Sequence, residues 1–591
     1  MQDIIRLLPD SIANQIAAGE VVQRPASVVK ELVENSLDAG ADNIRVIIRD
    51  AGKQLIQIID NGKGMSPTDV RMSIERHATS KITSADDLFA LKTMGFRGEA
   101  LASIAAVAQL EIKTRQKDAE LGTCLLVEGS TIKKQEPESC PVGTAVSVRN
   151  LFFNIPARRN FLKGNPVELR HIIDEFIHLS LSHPSVAFML VHGDEIIYDL
   201  QPSKIGQRIV ALFGKSYQQQ LAACDEEAGS VKVSGYVGRP ELARRTRSEQ
   251  FLFVNNRYFR SNYLHHAVMS GFEGLLPDGS FPFYALFLEV DPKHIDVNVH
   301  PAKTEVKFID ERTVYTVIRV AVRRALGLHQ ITPALDFTAN INLDQQLSGG
   351  QGPSKTAFFG EHPFRVQKDN ADWEKLFSEI PQRSAVQPNQ QELLGLPEQH
   401  SARTSDRVRF QFQDQFIIRE VSNGLMVIDQ QAAHERVLFD RFLTRMKSGA
   451  GKAQQMLFPL ALDFSPSDFS LMVGLMPEFE KLGFKMEVFG KTTLLFSGAP
   501  AETTSREKEV IEGLLEQYKV NAEVFDLPIQ ENLAQTLAKK AAVKRGQRLG
   551  MEEIDALISG LFSSNNPGFT PDGRPTFFIF ESSRMAEFFN Q

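Results

Sequence analysis

Hydrophobic positions recur with two different periods along this chain, and the segments they mark alternate. Between residues 30 and 40, Leu32, Val33, Ser36, Leu37 and Ala39 supply apolar or small surface, with Arg24-Pro25 before the run and Gly40 after it. Proline in a first turn and glycine past a last one are the usual ends of a helix. Residues 54–59 form a compact apolar run of strand type that leads straight into Asp60-Asn61-Gly62-Lys63-Gly64. A short amphipathic arm at 12–18, an apolar helix over 100–110 and a strand over 144–148 complete the first α/β region, and 151–159 reads as the start of a crossover to the next.

Further strand-like runs fall at 231–237, 250–254 and 283–290 with helices between them, followed by a strand over 295–303 that ends in a proline turn at Pro301. Apolar spacing then fades. Gln, Pro, Gly and Ser dominate 345–354, 381–384 and 387–391, a composition that cannot bury a core and reads as a flexible linker. Order resumes at Val408, where two runs flank Ser422-Asn423-Gly424 as a hairpin and a helix follows over 432–443. The pattern divides the chain into 1–204, 205–330, a linker 331–404, and 405–591.

Composition narrows the class. A chain of 591 residues has room for three or four domains, each with its own core. Its formal charge of -7 gives no global basic field, so any nucleic-acid contact must come from local patches. Three cysteines (Cys124, Cys140 and Cys224) suit a reducing compartment and no disulfide framework. No run approaches the roughly 18 apolar residues that span a bilayer, and the first residues lack the basic-then-apolar order of a signal peptide. A cytoplasmic protein without a membrane partner is expected.

The candidate chemistry lies between residues 30 and 101. Glu31 and Asn35 are four apart and share a helix face, and Asp38 follows almost one turn later. Alone, such residues most often face solvent. On a buried helix, the carboxylate of Glu31 can take a proton from an attacking water, and the Asn35 carboxamide offers a neutral oxygen to Mg²⁺. Asp60 at a strand end can accept a hydrogen bond from an exocyclic amine such as that of adenine, while Gly62 and Gly64 allow a ligand close to the backbone. Residues 76–81 (Arg-His-Ala-Thr-Ser-Lys, including Thr79) and Gly95-Phe96-Arg97-Gly98-Glu99-Ala100-Leu101 follow, the second opening onto a helix whose N–H groups form a ready phosphate site. No G-x-x-x-x-G-K-[S/T] occurs, which excludes a P-loop.

The set Glu31-x-x-x-Asn35, Asp60-x-Gly62-x-Gly64, Gly95–Leu101 and Gly143-Thr144 resembles the ATPase shared by gyrase, histidine kinases and heat-shock chaperones. Residues 12–41, 76–82, 95–104 and 151–163 are closer in wording to the MutL family of DNA mismatch repair proteins. That resemblance implies an α/β sandwich ATPase, a second α/β domain of ribosomal-protein-like fold, the linker, and an α/β dimerisation domain. It implies ATP and Mg²⁺ as cofactors. Asn35 would hold the metal, Asp38 would belong to the nucleotide site, Asp60 with Thr79, Thr144 and Gly64 would shape the adenine pocket, and Gly95–Leu101 would act as a lid. Lys303, by itself an ordinary solvated lysine, would reach the γ-phosphate from the second domain.

The family also implies partners. They are a second copy of the chain, DNA, a MutS-type mismatch sensor, and a separate nicking endonuclease or helicase, with nucleoid association in a bacterial cytoplasm. The residues offer a DNA surface in Arg239, Arg244, Arg245, Arg247, Arg257 and Arg260, with Arg158, Arg159 and Lys163 upstream. The alternative is a solvated face; clustered arginines in an acidic chain favour phosphate contacts. Gln454, Met456, Leu457 and Pro459 resemble the peptide by which family members touch the replication sliding clamp, and the same residues suit the start of a core strand. Many family members carry a metal-dependent nicking site in the last domain. Here Gln431 stands in place of a ligand histidine, Lys539-Lys540 fall at the second motif, and Thr570-Pro571-Asp572-Gly573-Arg574-Pro575 at the third. From 405 onward there is no cysteine and one histidine, His434, too few soft ligands for a zinc-type site. Loss of the nuclease is expected; an ATP-stimulated endonuclease using Asp429, Glu435 and Asp440 is the rival, and a gyrase-like or chaperone ATPase the third reading.

Overall fold

The computed structural model describes residues 10–81, 94–95, 98–296, 306–328, 409–449, 451–503, 506–524 and 528–589. The linker, Lys303, Phe96 and Arg97 lie outside these residues.

The first region contains helices α1 (Asp10–Val21), α2 (Pro25–Asp38), α3 (Pro67–Met72), α4 (Ala100–Val107), α5 (Pro156–Asn160) and α6 (Asn165–Ser182). Its strands are β1 (Asn43–Arg49), β2 (Leu55–Asp60), β3 (Gln109–Arg115), β4 (Gly122–Glu128), β5 (Thr131–Glu138), β6 (Gly143–Arg149), β7 (Ala187–His192) and β8 (Glu195–Leu200). They form one sheet in the order β5-β4-β3-β6-β2-β1-β7-β8. All neighbours are antiparallel except β1 and β7. Alternate residues, among them Ile44, Val46, Ile48, Ile56, Ile58, Leu110 and Ile112, point into a core shared with Val28, Val29 and Leu32 of α2 and Ile172, Ile173 and Phe176 of α6. A sheet layered under helices is what the mixed periods predict.

Two expectations need correction here. The apolar helix ends at Val107, because Ala108 turns to extended backbone (φ -143°, ψ 170°) and the carbonyls of Ala105 and Val107 accept Ser130 N–H and Phe152 N–H instead of continuing the helix. Residues 151–159 do not lead to the second region. The chain returns through α6 and adds β7 and β8 beside β1, since the apolar face of β7 (Phe188, Leu190) completes the same core.

The second region holds α7 (Ile205–Phe213), β9 (Leu221–Ala228), β10 (Val231–Gly238), β11 (Gln250–Val254), β12 (Arg257–Phe259), α8 (Asn262–Gly271), β13 (Tyr284–Val290), β14 (Ile295–Asp296), β15 (Lys307–Phe308) and α9 (Glu311–Leu328). Its main sheet runs β12-β11-β13-β10-β9, and its strand β11 is buried on both faces. Phe251, Phe253 and Phe283 continue the first core, while Leu252, Val254 and Leu286 pack with α8 and α9.

The last region comprises β16 (Arg409–Phe412), β17 (Phe416–Val421), β18 (Gly424–Asp429), α10 (Gln430–Ser448), β19 (Gln454–Asp463), α11 (Pro466–Leu482), β20 (Lys485–Val488), β21 (Thr493–Ala499), α12 (Glu507–Val524), α13 (Ile529–Ala541), α14 (Met551–Phe562), β22 (Phe577–Glu581) and α15 (Ser582–Phe589). A four-stranded sheet β16-β17-β18-β22 and a three-stranded sheet β19-β21-β20 each have a core of their own. The hairpin turns at Ser422-Asn423, and α10 is longer than the 432–443 expected because the Asp429 side chain caps it, accepting Ala432 N–H at 2.9 Å.

Candidate nucleotide site

The C-terminal half of α2 and the loop after β2 are locked together through backbone and side chain. Lys63 N–H donates to Ala39 O at 3.1 Å, tying the helix end to the Asp60–Gly64 turn. Ser36 Oγ donates to Asp60 Oδ2 at 2.8 Å and Gly62 N–H to Oδ1 at 2.9 Å. Burial raises the Asp60 pKa above the usual carboxylate value, against the lowering effect of its bonds from Ser36, Gly62 and Thr144. Thr144 is the cross-strand partner of Asp60, and its hydroxyl lies 3.0 Å from Thr114 Oγ1. Thr114, fully buried, also donates to Gly143 O and accepts Met65 N–H at 2.9 Å. Gly64 has φ +69°, and a Cβ there would stand 2.2 Å from Arg115 O, so this position takes only glycine.

On the opposite side of the same end of α2, Asp38 meets the chain on either side of residues 82–93. It accepts Met94 N–H at 3.0 Å and Gly95 N–H at 3.1 Å, and its Oδ2 pairs with Lys81 Nζ at 2.6 Å. Lys81 Nζ also donates to Asn35 Oδ1 at 3.0 Å. The 76–81 turn packs on the start of α4: His77 Nδ1 is 3.3 Å and Arg76 Nη2 is 3.8 Å from Glu99, and a Cβ on Gly98 (φ +62°) would lie 2.4 Å from Ala78 O. Ala100 and Leu101 open α4 behind it. The carboxamide of Asn35 and the carboxylate of Asp38 therefore form a cation-attracting pair, occupied here by an ammonium.

The structure thus brings together Asn35, Asp38, Lys81 and Gly95 in one cluster, Gly98 and Glu99 against the 76–78 turn in a second, and Asp60, Gly62 and Thr144 with Ser36 in a third, beside Gly64. Thr79 is not among the groups on Asp60; it is exposed in the 76–81 turn, where its hydroxyl accepts Lys81 N–H at 3.2 Å. Ser36, Thr114 and Lys81 belong to the site and were not predicted as such. The register β2-β6-β3 places Thr114, a signal absent from local sequence, while Lys81 is visible as the last residue of the 76–81 block.

Glu31 is half-buried one turn before Asn35. Behind it, Lys30 meets three carboxylates: burial works against its ammonium, yet Glu34, Glu175 and Glu31 hold its pKa above the ordinary lysine value. Arg257 of the second region faces the same helix; burial lowers its pKa, opposed by Glu34, Asp38 and Glu31. Glu175 is driven down to about 2, its burial outweighed by His178, whose Nδ1 stands 3.6 Å away, and by Lys30 and Arg260 charge. Those contacts join the two regions beside α2.

The predicted DNA arginines do not share one surface. Arg158 packs its guanidinium over Gly19 of α1, and Arg159 is exposed beside it. Arg257 and Arg260 lie at the junction just described, Arg260 donating to Tyr258 Oη at 3.1 Å. Arg244 is committed to Glu249 (3.4 Å) and to the Tyr217 hydroxyl (3.3 Å), whereas Arg247 is exposed over the Phe281 ring at 4.4 Å.

In the last region, Glu435 is fully buried and its Oε2 accepts Arg574 Nη2 at 2.6 Å. Burial raises the Glu435 pKa, with Arg574 pulling it down. Arg574 also pairs with Asp572 at 3.1 Å, and Lys539 approaches Asp572 at 3.6 Å. Asp429 pairs with Arg545 at 3.0 Å and Asp440 with Arg436 at 2.8 Å. No group of three or more His, Cys, Asp or Glu side chains with metal-binding geometry occurs among the described residues. Along β19, pairing with β21 is interrupted between Gln455 and Leu460, and in that bulge Leu457 and Phe458 are 89% and 79% exposed while Met456 packs on the core.

Residues 23–148, which contain these three clusters, match the family described as histidine kinase-, DNA gyrase B- and HSP90-like ATPase. Fold and site define a nucleotide-binding ATPase of that class. Residues 209–327 match DNA mismatch repair protein, C-terminal domain, and 409–549 match MutL C terminal dimerisation domain. The chain is 43% identical to DNA mismatch repair protein MutL of Parabacteroides distasonis, over 97% of each chain. It is 42% identical to the protein of the same name from Christiangramia forsetii, over 98% of each. The chain belongs to the MutL family of DNA mismatch repair proteins. The solved ATPase domain of Aquifex aeolicus MutL complexed with ADP is 26% identical, covering 50% of this chain and 98% of that one with a TM-score of 0.38. No helix among the described residues is long and apolar enough to cross a membrane.

Proposed function

We propose that this mismatch repair ATPase is a slow, Mg²⁺-dependent conformational switch that links a MutS-type sensor to separate nicking and excision enzymes, and that it has no nuclease site of its own. The observation that carries the negative half is the Arg574–Glu435 pair. Where family members place metal ligands, this chain puts a guanidinium on the buried Glu435 carboxylate, with Lys539 on the neighbouring Asp572. A cation entering there would have to displace an ion pair whose carboxylate has no other route to solvent.

The nucleotide pocket is built differently. Asp60, with its bonds from Ser36 and Gly62, leaves an acceptor edge for an adenine amine. Glu31 is the base that takes the proton of the attacking water. The Asn35–Asp38 pair already attracts a cation, so its donor set fits Mg²⁺, with Asn35 as ligand. Bound there, Mg²⁺ would neutralise phosphate charge. Lys81 must then leave Asn35, and its ammonium is free to follow the phosphates. Gly98, Glu99 and the α4 N-terminus are assigned to the phosphates; Phe96, Arg97 and, for the γ-phosphate, Lys303 are assigned on the family resemblance alone.

Pairing of two copies is assigned to the outer face of the β16-β17-β18-β22 sheet. Phe410 and Phe412 (47% exposed each), Leu425 (37%) and Phe578 (57%) form a contiguous apolar surface there, of the kind an obligate partner covers. The β19 bulge suits the sliding clamp, with Leu457 offered outward between Gln454 and Pro459. Duplex phosphates are assigned to separate stations: Arg158 and Arg159 beside α1, Arg244, Arg245 and Arg247 on the second region, and Arg257 and Arg260 at the junction beside α2. The protein would act in the cytoplasm, nucleoid-associated during repair. Two assays test the reading together: ATP turnover of the intact protein and of Glu31→Ala, and nicking of supercoiled plasmid with Mn²⁺ and ATP. Turnover lost with Glu31 and an intact plasmid support it. Nicking that disappears in Glu435→Ala contradicts it and favours the endonuclease.

A further inference from the structure

The last region meets Arg244 and Arg245 of the second region, and offers Arg245 two acids. Arg245 Nη2 pairs with Glu509 at 3.1 Å and its Nε stands 3.9 Å from Glu512, both on α12. Arg244 Nη1 donates to Asp463 O at 3.0 Å. Beside them, Arg170 of α6 approaches Asp468 at 3.8 Å, a fully buried acid also held by Lys519 at 3.2 Å. The contact also has an apolar part, between α6 and α11. Val167 reaches into the core of α11–α13, and Pro166 lies against Gly474 so closely that a Cβ on that glycine would be 2.6 Å away.

We infer that the C-terminal region and duplex DNA compete for Arg245 and its neighbours, so that the docked chain is a DNA-excluding state. The inference rests on the proposed DNA contact of these arginines and adds its regulation. Glu509 and Glu512 present to Arg245 the charge that a phosphate would present. The pairs of Arg245 with Glu509 and Glu512 are exposed or half-exposed and contribute little each, so this edge of the contact can be exchanged for phosphate. Ligands that exclude each other are linked: whatever releases the C-terminal region raises apparent affinity for duplex, and duplex in turn releases the region. Salt weakens both contacts. The intact chain therefore loses less affinity with rising salt than an undocked one, because salt removes its competitor as well.

The test uses the full chain with two independent undocking variants. Gly474→Leu wedges against Pro166, and Glu509→Lys with Glu512→Lys reverses the charges facing Arg245. Small-angle scattering reads extension, and fluorescence anisotropy reads affinity for a duplex. Arg247→Glu, which alters the same station without touching the C-terminal region, reports on the DNA contact itself. Both undocking variants are expected to extend the chain, tighten duplex binding about three- to tenfold at low salt and steepen its salt dependence. Extension with unchanged affinity, while Arg247→Glu still weakens binding, overturns the competition alone. Unextended chains in both variants overturn the docking. Normal binding by Arg247→Glu and by Arg245→Glu overturns the DNA contact and the inference with it.

Discussion

Two carboxylates on two helices, each paired with a cation, carry opposite consequences in this chain. On α2, Asp38 and its neighbour Asn35 hold Lys81, a single side chain, while the Met94 and Gly95 amides also donate to Asp38. On α10, Glu435 holds Arg574, which is itself held by Asp572, and the Thr570 hydroxyl bonds Asp572 and Arg574 N–H in the same turn. The first cation can move and leave oxygen ligands behind. The second is a planar fork pinned at both ends over a buried acid, and removing it strands a charge. An acid on a helix is thus available for catalysis only where its partner can leave.

The largest expected effect separates chemistry from binding at the first site. Glu31→Ala should lower ATP turnover by roughly 10²- to 10⁴-fold while nucleotide binding, read by calorimetry, stays within a few-fold of the parent. Equal loss of binding would show that Glu31 shapes the pocket instead. Next, Asp60→Ala should abolish measurable nucleotide binding, whereas Thr79→Ala, whose hydroxyl serves only the Lys81 amide here, should change it little.

At the second site, Arg574→Ala should destabilise the C-terminal region by about 1–3 kcal/mol, discounted because the guanidinium is 43% exposed. The sign with pH follows from Glu435. Its folded pKa is already above the ordinary value through burial, and loss of Arg574 pushes it higher. The variant should be least stable at neutral and alkaline pH and regain stability as pH falls and the acid takes up a proton. Melting temperatures between pH 5 and 8 check this, and a pH-independent loss would place the effect in packing.

The smallest effect is a pH dependence outside both sites. Burial, and then Arg24, depress the His171 pKa from 6.5 to about 4. Its contribution to stability is complete above about 6.5 and declines as pH falls through about 4, and His171→Gln should flatten the melting profile in that window.

How much of this was legible in sequence depends on where each contact is encoded. Glu31, Asn35 and Asp38 share a face by helical spacing, and Asp60 with its glycines stands at a strand end, so one end of the pocket reads directly from local pattern. Thr114 could not be read, because it meets Thr144 only through the non-sequential order β2-β6-β3. The apolar run Ile104–Ala108 carries no mark of the helix end, and the polar Gln109 comes only after it; hydrogen bonds from Ser130 and Phe152 decide where helix gives way to β3. The arginines lie close in sequence yet separate in space, since the β11–β12 hairpin carries Arg257 and Arg260 to α2 and α6 while Arg244 and Arg245 face the C-terminal region.

The most direct measurement is Mn²⁺ binding by the full chain, followed by electron paramagnetic resonance with and without nucleotide. The account predicts Mn²⁺ uptake that requires nucleotide, disappears in Asn35→Ala and is untouched by Glu435→Ala. Uptake that persists without nucleotide and is lost in Glu435→Ala would mean that Arg574 yields its place to a metal, and the contrast between the two helices would fail.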